Sequence, residues 1–359
     1  MFPRELSEVD YVPLLSVRPA EIRALKELPE KTKDRLLPFM FLRPWTTAQQ
    51  LDNALVRIEE AYGTRPVIID AGSNEPIEGQ PRPVHQQLAE LRNPTDGYRN
   101  WFEFLEAREH YIPSLQLANL VELPTQLARL ATLERGLVIR LPQQAFGQSV
   151  NIAQSVAQHF SEDEVCFVID YEQASSELLT RAAAANGISI AIMGVMPNAA
   201  IALSATSFPS DFVGRVSQEI YERQFHRLVS DLHPERAFIY SDRGSARAER
   251  QLGGGGTPAP RVDLAVASQW EFYREEDQGD RDQAYFDAAT RATESSAWDP
   301  LLKVWGTQMI ERTANEDDDA IVSPARSTAV RINLHLHEQS YYGAPPSEKY
   351  DTDEDWTDF

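Results

Sequence analysis

Val165-Cys-Phe-Val-Ile169 is a short apolar run that closes on the carboxylate of Asp170, and an amphipathic stretch from Ser175 to Ala185 follows it. Apolar runs of this kind recur between Tyr11 and Asp242, and most of them precede an amphipathic stretch. Strands that are buried on both faces read as continuous apolar runs, and intervening helices make neighbouring strands parallel. The alternation therefore predicts an α/β fold in which the strands wrap into a (β/α)8 TIM-like barrel.

The apolar runs give a set of candidate strands with helices between them. The strands are predicted at Tyr11 to Val17, Leu36 to Leu42, Pro66 to Ile69, Tyr111 to Leu117, Gly136 to Ile139, Val165 to Ile169, Ile188 to Met193, Ala200 to Thr206 and Ala237 to Tyr240. The helices are predicted at Pro19 to Glu27, Thr47 to Tyr62, Trp101 to Glu109, Leu123 to Leu133, Ile152 to Phe160, Ser175 to Ala185 and Asp211 to Asp231. The runs 188–193 and 200–206 compete for the seventh position of the barrel.

The stretch from Ile188 to Ala205 carries no charge. It approaches the roughly 20 residues that a membrane-spanning helix needs. Pro197 and Asn198 interrupt it, however, and two buried strands joined by a turn account for the same residues. We therefore expect no contact with a membrane.

Composition limits the class of protein. The 359 residues are 42% hydrophobic, which is typical of a folded core, and the net charge of -21 disfavours extensive contact with nucleic acid. The single Cys166 lies in an apolar run and is interpreted as a small buried side chain, so the chain has no disulfide. Because residues 1–10 are charged and contain no apolar signal core, we expect a cytoplasmic protein.

The pattern changes after Asp242. Val262 to Tyr273 and Thr328 to His337 alternate as strands do, and Gln283 to Glu294 reads as a helix. These elements predict a C-terminal β-rich and helical cap on the barrel. The expected domains are a barrel over 1–245, a C-terminal addition packed on it over 246–345, and an acidic tail over 346–359.

Polar residues that end the predicted strands form the principal candidate site, because the carboxyl ends of barrel strands meet at one rim. The rim residues are Arg43, Asp70, Gln116, Arg140, Asp170 and Asp242. Asp170, Asp242 and Arg140 are the candidate catalytic residues, and Arg43, Asp70 and Gln116 are candidate substrate-binding residues. The arginines could clamp a phosphate or carboxylate while the acids serve as base, acid or metal ligands. Alternatively, Arg140 and Asp170 only pair across neighbouring strands.

Three further features suggest binding sites in the C-terminal part. His335 and His337 would leave one face of a strand and could bind a metal, although hydrogen-bonded surface histidines are the alternative. Trp270 and Arg274 could form a stacking platform, although a Trp at such a place usually packs. Arg331 is also assigned to substrate binding. No cofactor can be named, because phosphate-binding, dinucleotide-binding and zinc-helix motifs are missing from the sequence.

The C-terminus, Asp351-Thr-Asp-Glu-Asp-Trp-Thr-Asp-Phe359, is similar to the tails through which bacterial single-stranded-DNA-binding proteins recruit partners. A basic pocket on a partner protein could hold the terminal carboxylate, and an apolar hole could accept the Phe ring. The alternative is a solvated tail that binds nothing. The predicted partner-binding residues are Asp353, Glu354, Asp355, Trp356, Asp358 and Phe359.

Four ordered motifs give the chain a family resemblance. They are Tyr11-Val-Pro-Leu-Leu followed by Glu21 and Ala24-Leu25, then Ser207-Phe208-Pro209, then Ser241-Asp242-Arg243-Gly244, and finally Ser327-Thr328-Ala329-Val330-Arg331 running into His335-Leu336-His337. Together they resemble the "beta protein" family of phages, prophages and bacterial mobile islands, whose genes sometimes lie near defence genes. The resemblance implies a barrel-like intracellular protein and supplies a biological context, not a reaction.

Two functions from different classes are compatible with these features. One is an interaction protein of phage–host conflict, which acts through its acidic surface and tail. The other is a hydrolase-like barrel enzyme for a phosphate-bearing or otherwise anionic small substrate. Because nothing in the sequence specifies a reaction, the first is preferred. A protein partner and a small anionic ligand are accordingly expected.

Overall fold

The structure is a computed structural model that describes residue 6 and residues 9–77, 79–248, 258–274 and 279–352. The chain divides into two compact units. Unit 1 consists of Met1–Arg18, Leu36–Thr206 and Tyr221–Arg243, and unit 2 consists of Pro19–Arg35, Ser207–Ile220 and Gly244–Phe359. Each unit has its own core and is described by itself. The domain boundaries 1–245, 246–345 and 346–359 stay predictions.

Unit 1 is a parallel eight-stranded sheet that is nearly closed into a barrel. Its strands are β1 (Tyr11–Ser16), β2 (Phe39–Phe41), β3 (Val67–Asp70), β4 (Tyr111–Pro113), β5 (Leu137–Pro142), β6 (Val165–Gln173), β7 (Ala200–Thr206) and, after the short strand β8 of unit 2, β9 (Ile239–Asp242). The order is β4-β3-β2-β1-β9-β7-β6-β5, and a parallel bridge from Ser114 to Val138 connects the two edges. This arrangement is compatible with a TIM-like barrel.

Helices alternate with these strands in unit 1. They are α3 (Asp52–Tyr62), α4 (Pro83–Leu91), α5 (Thr95–Glu106), α6 (Leu123–Ala131), α7 (Ser149–Val156), α8 (Ala182–Met193) and α9 (Tyr221–Ser230). The predicted helices overlap α3, α5, α6, α7 and α9, and they share only residues 182–185 with α8. The sequence did not predict α4, whose residues lie at the end of a segment rich in Pro and Gly. Pro83 occupies the first turn of α4, where its missing N–H costs no hydrogen bond.

The barrel interior is built from alternate residues of the strands. Phe39 and Phe41 of β2, Ile68 of β3 and Ile112 of β4 belong to one buried cluster with Cys166 of β6. Side chains alternate between the two faces of a strand, so the members of this cluster mark the inward face. Burial raises the pKa of the Cys166 thiol to about 12, as expected for a packed side chain and not a reactive one.

Unit 2 combines helices with a small antiparallel sheet. Its helices are α1 (Pro19–Lys26), α2 (Glu30–Lys33), α10 (Arg281–Thr293), α11 (Trp305–Ala314), α12 (Pro324–Ser340) and α13 (Pro346–Lys349). Its sheet has the order β10-β11-β8, formed by β8 (Ser217–Glu219), β10 (Arg261–Ala265) and β11 (Gln269–Arg274). A separate core surrounds Trp270, Trp305 and Leu334.

The seventh barrel strand is Ala200–Thr206, and the prediction of a strand over 188–193 is wrong. Those residues continue the helix α8, which runs from Ala182 to Met193. Gly187 lies inside α8, and nothing lies within 4 Å of the position that a Cβ would take there. Among the described residues, no helix is both long and apolar enough to cross a membrane.

Three more element predictions are wrong. The segment 328–337 is not a strand but part of α12. This helix begins at Pro324, and Ser323 caps its N-terminus by accepting a hydrogen bond from the Arg326 amide. Polar side chains of α12 are buried beside its apolar ones. The sequence of this buried helix therefore alternates in the way that a strand would. The segment 262–273 is a hairpin and not a single strand. The predicted helix 211–231 contains β8 and becomes helical only at Tyr221.

Candidate functional site: the mouth of the barrel

A layer of polar side chains lies above the barrel interior. In each case the polar residue stands two positions beyond an interior apolar residue, so its side chain faces inward. Six strands contribute in this way, through Arg43, Asp70, Ser114, Arg140, Asp170 and Ser204. Because the strands are parallel, these residues share the carboxyl-end opening of the sheet, which is called the mouth here.

Asp170 is the centre of the charged part of the mouth. Its side chain is fully buried, and its Oδ2 accepts hydrogen bonds from Arg140 Nε at 2.7 Å and from Arg243 Nη2 at 2.5 Å. Oδ1 accepts from the backbone amide of Glu172 at 2.9 Å. Both carboxylate oxygens are thus engaged, and one acid fixes the position of two guanidinium groups.

The electrostatics keep Asp170 ionised. Burial alone would raise its pKa, but the charges of Arg243 and Arg140 and the hydrogen bonds to the carboxylate bring the pKa below its usual value. Burial lowers the pKa of Arg243, and the charge of Asp170 opposes that change. An aspartate with a lowered pKa is a weak base, and an arginine stays protonated in proteins. Asp170 is therefore poorly suited to accepting a proton in a reaction.

Some buried polar atoms of the mouth have no hydrogen-bond partner in the described part of the chain. They include Nε of Arg243 and Oγ of Ser204. Ser204 lies opposite Asp170 in the pairing of β6 with β7, and opposite Ser241 in the pairing of β7 with β9. An unsatisfied buried polar group costs about 1–3 kcal/mol, so water or a ligand is expected to complete these atoms.

Glu172 closes one side of this cluster. Its Oε1 accepts from Arg140 Nη2 at 3.0 Å. The backbone of Glu172 has a φ of 57°, in the left-handed region that a side chain other than glycine rarely adopts, next to a register shift between β6 and β7. Strained residues of this kind cluster at functional sites.

Phe41 supplies an aromatic floor. The guanidinium carbons of Arg243, Arg140 and Arg43 lie 5.1, 5.3 and 6.0 Å from the centroid of its ring. Guanidinium groups at this distance are attracted to the ring. The three arginines therefore converge on one point of the mouth.

A second part of the mouth is uncharged apart from Asp70. Asp70 Oδ2 accepts from Ser114 Oγ at 2.6 Å and from Gln116 Nε2 at 3.3 Å, and Oδ1 accepts from the Gly72 amide at 2.6 Å. Burial alone would lower the pKa of Arg140. The charge of Asp170, with a smaller contribution from Asp70, raises that pKa above its usual value. The acid thus orients the side chain of Gln116.

Arg43 is held by the loop that follows β3. Nη1 donates to the Ser73 carbonyl at 3.0 Å, and Nε lies 3.1 Å from Oε1 of Glu75. Gly72 permits this approach. Its φ is +69°, and a Cβ there would lie 2.4 Å from Arg43 Nη1 and 3.0 Å from the Leu42 carbonyl oxygen.

The structure brings five of the six predicted rim residues together, and Asp242 is the exception. Ile239 faces the interior, so Asp242, three positions later, faces the other side of β9. There it accepts hydrogen bonds from Tyr11 Oη at 2.7 Å and Tyr240 Oη at 2.8 Å. Burial and the charge of Asp242 raise the pKa of both phenols, so they remain donors. The expectation that Asp242 joins Asp170 at the rim is wrong.

The two candidate histidines, His335 and His337, lie in the core of unit 2. His335 and His337 are two positions apart on the helix α12, so they leave different faces and the geometry expected of a strand is absent. His335 stacks on Trp270 with 5.7 Å between ring centroids. His337 bonds Thr32 Oγ1 through Nδ1 and the Lys349 carbonyl through Nε2. In the described part of the chain, no cluster of three or more His, Cys, Asp or Glu residues could hold a metal ion.

Trp270 and Arg274 share β11, but Trp270 is fully buried and packs edge-on against Phe208, whereas Arg274 is exposed. This arrangement agrees with the packing alternative for Trp270. Arg331 is buried, with its guanidinium carbon 4.0 Å from the Phe208 centroid and Nη1 2.7 Å from Asp263 Oδ2. The tail residues 353–359 lie outside the described residues, so partner binding by the tail stays a prediction.

Sequence reasoning missed four residues of the mouth: Arg243, Ser204, Ser114 and Glu172. Three of them could have been found by counting in steps of two from the apolar positions of each strand. That count leads from Ile239 past Asp242 to Arg243, from Ala202 to Ser204 and from Ile112 to Ser114. Glu172 depends on a local backbone distortion that no side-chain pattern reveals.

The fold and the mouth define a class: an α/β protein with a nearly closed parallel barrel and an arginine–carboxylate cluster at its carboxyl end. The Beta protein family matches residues 11–341, and the chain belongs to this family. Protein beta of Enterobacteria phage P4 is 26% identical over 358 residues, which cover 96% of this chain and 97% of that protein. No solved structure matches the chain.

Proposed function

We propose that this chain is a phage-associated binding protein whose barrel mouth recognises an anionic group. The observation that supports this proposal is the pair of guanidinium groups fixed by Asp170, together with two buried atoms that have no hydrogen-bond partner among the described residues: Nε of Arg243, and Oγ of Ser204, which lies opposite Asp170 in the sheet. A phosphate or carboxylate would satisfy both atoms. The lowered pKa of Asp170 favours binding over proton transfer, so a hydrolase-like reaction at the mouth is the less favoured function.

Titration calorimetry of the full chain with inorganic phosphate at low ionic strength tests the proposal. We expect wild type to bind and Arg243→Gln to lose at least about tenfold in affinity, which corresponds to about 1.4 kcal/mol. Arg99→Gln is the matched control, because Arg99 is an exposed arginine that pairs with Glu103 within α5. Absence of binding to wild type, or equal binding by Arg243→Gln, would contradict anion recognition at the mouth.

The biological role in this proposal is phage–host conflict through interaction with a protein. Membership of the Beta protein family and the similarity to a protein of phage P4 support a phage context. The acidic C-terminal tail is the proposed contact for the partner. Expression of the full chain in a bacterial host should change the plating efficiency of a challenging phage, and deletion of residues 353–359 should abolish that change. Unchanged plating with the full chain would overturn this role without affecting anion binding.

A further inference from the structure

The mouth offers hydrogen-bond acceptors as well as donors. Gln116 follows β4, and its backbone is fixed by Gln126, whose amide accepts from the Gln116 N–H at 2.8 Å and donates to the Gln116 carbonyl at 3.1 Å. Gln126 is itself buried. The base of the Gln116 side chain therefore has a defined position.

The orientation of the Gln116 amide follows from its neighbours. An ionised carboxylate only accepts hydrogen bonds, so the group that faces Asp70 Oδ2 at 3.3 Å must be Nε2. Nε2 also donates to Ser114 Oγ at 3.1 Å, while Ser114 Oγ donates its own proton to Asp70. Oε1 consequently points away from this network and accepts no hydrogen bond from the described residues.

The opposite part of the mouth offers donors. Arg243 Nε and Ser204 Oγ have no partner in the described part of the chain, and Asp170 engages only Nη2 of Arg243. The two parts belong to one opening, because Ser114, Arg140, Asp170 and Ser204 each stand two positions beyond an interior residue at the carboxyl ends of the same parallel sheet. Donors for an oxyanion and an acceptor for a hydroxyl therefore lie at the same end of the barrel, where Arg140 and Arg243 also approach the ring of Phe41.

From this arrangement we infer that the ligand of the mouth is a small hydroxylated oxyanion: a short carbon chain with a phosphate or carboxylate group and at least one hydroxyl. The oxyanion binds Arg243 Nε and the Ser204 hydroxyl, and a ligand hydroxyl donates to Gln116 Oε1. This inference rests on the proposed anion recognition. It adds that the ligand carries a hydroxyl donor. A ligand without a hydroxyl would leave the oriented Gln116 Oε1 unpaired, and this disfavours its binding.

Matched pairs of probes test the inference on the wild-type chain by titration calorimetry. Glycerol 3-phosphate and propyl phosphate have carbon chains of the same length, and only the first carries hydroxyls; glycerate and propionate form the equivalent carboxylate pair. We expect the hydroxylated member of at least one pair to bind about tenfold more tightly than its partner, which corresponds to about 1.4 kcal/mol. The pair with the larger ratio identifies the oxyanion as phosphate or carboxylate.

Variants locate the effect. Gln116→Met removes the acceptor at similar length and should reduce the ratio within the responsive pair to about one, whereas Gln86→Met, at an exposed glutamine of α4, should retain it. Equal binding of both members of each pair to wild type would overturn the inference and leave anion recognition intact. Failure of all four probes and of inorganic phosphate would overturn both. The wild-type comparison requires no variant, so it decides the question even where Gln116→Met does not fold.

Discussion

Each unit of this protein contains a fully buried aspartate shared by two arginines, yet the two clusters differ in what remains unbound. In unit 1, Asp170 binds Arg140 and Arg243, and Nε of Arg243 has no hydrogen-bond partner among the residues that the structure describes. In unit 2, Asp263 Oδ2 accepts from Arg261 Nη2 at 2.9 Å and from Arg331 Nη1 at 2.7 Å, while Oδ1 accepts from Arg261 Nε. A buried ion pair by itself does not indicate a ligand site; unpaired donors beside it do.

The burial of the arginines does not distinguish the clusters. Arg331 has 6% and Arg243 has 8% of its side chain exposed, and the second arginine of each cluster, Arg261 or Arg140, is 20% exposed. Burial, followed by the repulsion of Arg261 and Arg247, lowers the pKa of Arg331 to about 10 against the attraction of Asp263, so the side chain remains charged at neutral pH. The unit 2 cluster joins β10 to α12 as an internal support, and the unit 1 cluster lines an opening.

The largest expected effect is the loss of the buried acid in unit 2. Asp263→Asn leaves Arg331 charged and buried with its carboxylate partner removed, which typically costs about 3–5 kcal/mol of folding stability. Asp170→Asn should cost less, about 1.5–3 kcal/mol, because Arg140 keeps its contact with Glu172 and only the buried Arg243 loses its carboxylate contact. Urea denaturation measures both changes, with the exposed Asp163→Asn as control. Equal losses for the two variants would end the distinction between the clusters.

Acid should weaken each unit through a different histidine. Burial, with smaller electrostatic effects, lowers the pKa of His337 in unit 2 and of His226 in unit 1 to about 4. Since the unfolded value is about 6.5, each neutral histidine contributes stability that is complete above that pH and is lost as the pH falls from about 6.5 towards 4, at up to about 1.4 kcal/mol per pH unit.

Single replacements separate these contributions. His337→Gln should flatten the acid dependence of stability for unit 2, and His226→Gln should do so for unit 1, in denaturation curves recorded from pH 7 to pH 4. His159→Gln is the control, because His159 is only half-buried. An acid dependence that survives both replacements unchanged would show that the carboxylates, not these histidines, control the response.

A smaller effect should follow from Gly72→Ala. The mouth relies on loops, and this variant forces a Cβ against Arg43 and the Leu42 carbonyl at a positive φ. We expect a loss of about 1–2 kcal/mol in thermal or urea unfolding, together with weaker phosphate binding. Gly79→Ala is closely matched, since Gly79 has a φ of +79° and open space around it. Indistinguishable results for the two variants would mean that the position of Arg43 does not matter.

The smallest expected effect concerns Glu172. Its carboxylate occupies one guanidinium nitrogen of Arg140 and repels an incoming anion. Glu172→Gln should therefore tighten phosphate binding about threefold, or ~0.6 kcal/mol, which is in the range of partly exposed ion pairs. Glu177→Gln, at an exposed glutamate paired with Arg181, should change nothing. Weaker binding by Glu172→Gln would assign the acid to ligand contact in place of competition.

Much of the barrel and most of its mouth could be predicted from the sequence. Apolar runs that end on polar residues identify the strands and show which residues lie at the carboxyl end of the barrel. This pattern placed five residues together: Arg43, Asp70, Gln116, Arg140 and Asp170. The prediction failed at Asp242 because the register of a strand, not its last residue, decides which face a side chain takes. It failed at His335 and His337 because polar residues buried within a helix imitate the alternation of a strand.

What the sequence alone determined is the succession of strands and helices, the family, and the acidic composition, since these depend on local patterning and on ordered motifs. Only the tertiary structure decided which donors remain unpaired. Asp170 and Asp263 both lie in strands, and the residues next to them in the sequence do not show which aspartate leaves a donor unpaired. Their partners come from distant segments, so the number of hydrogen bonds left for a ligand is set by packing across the fold.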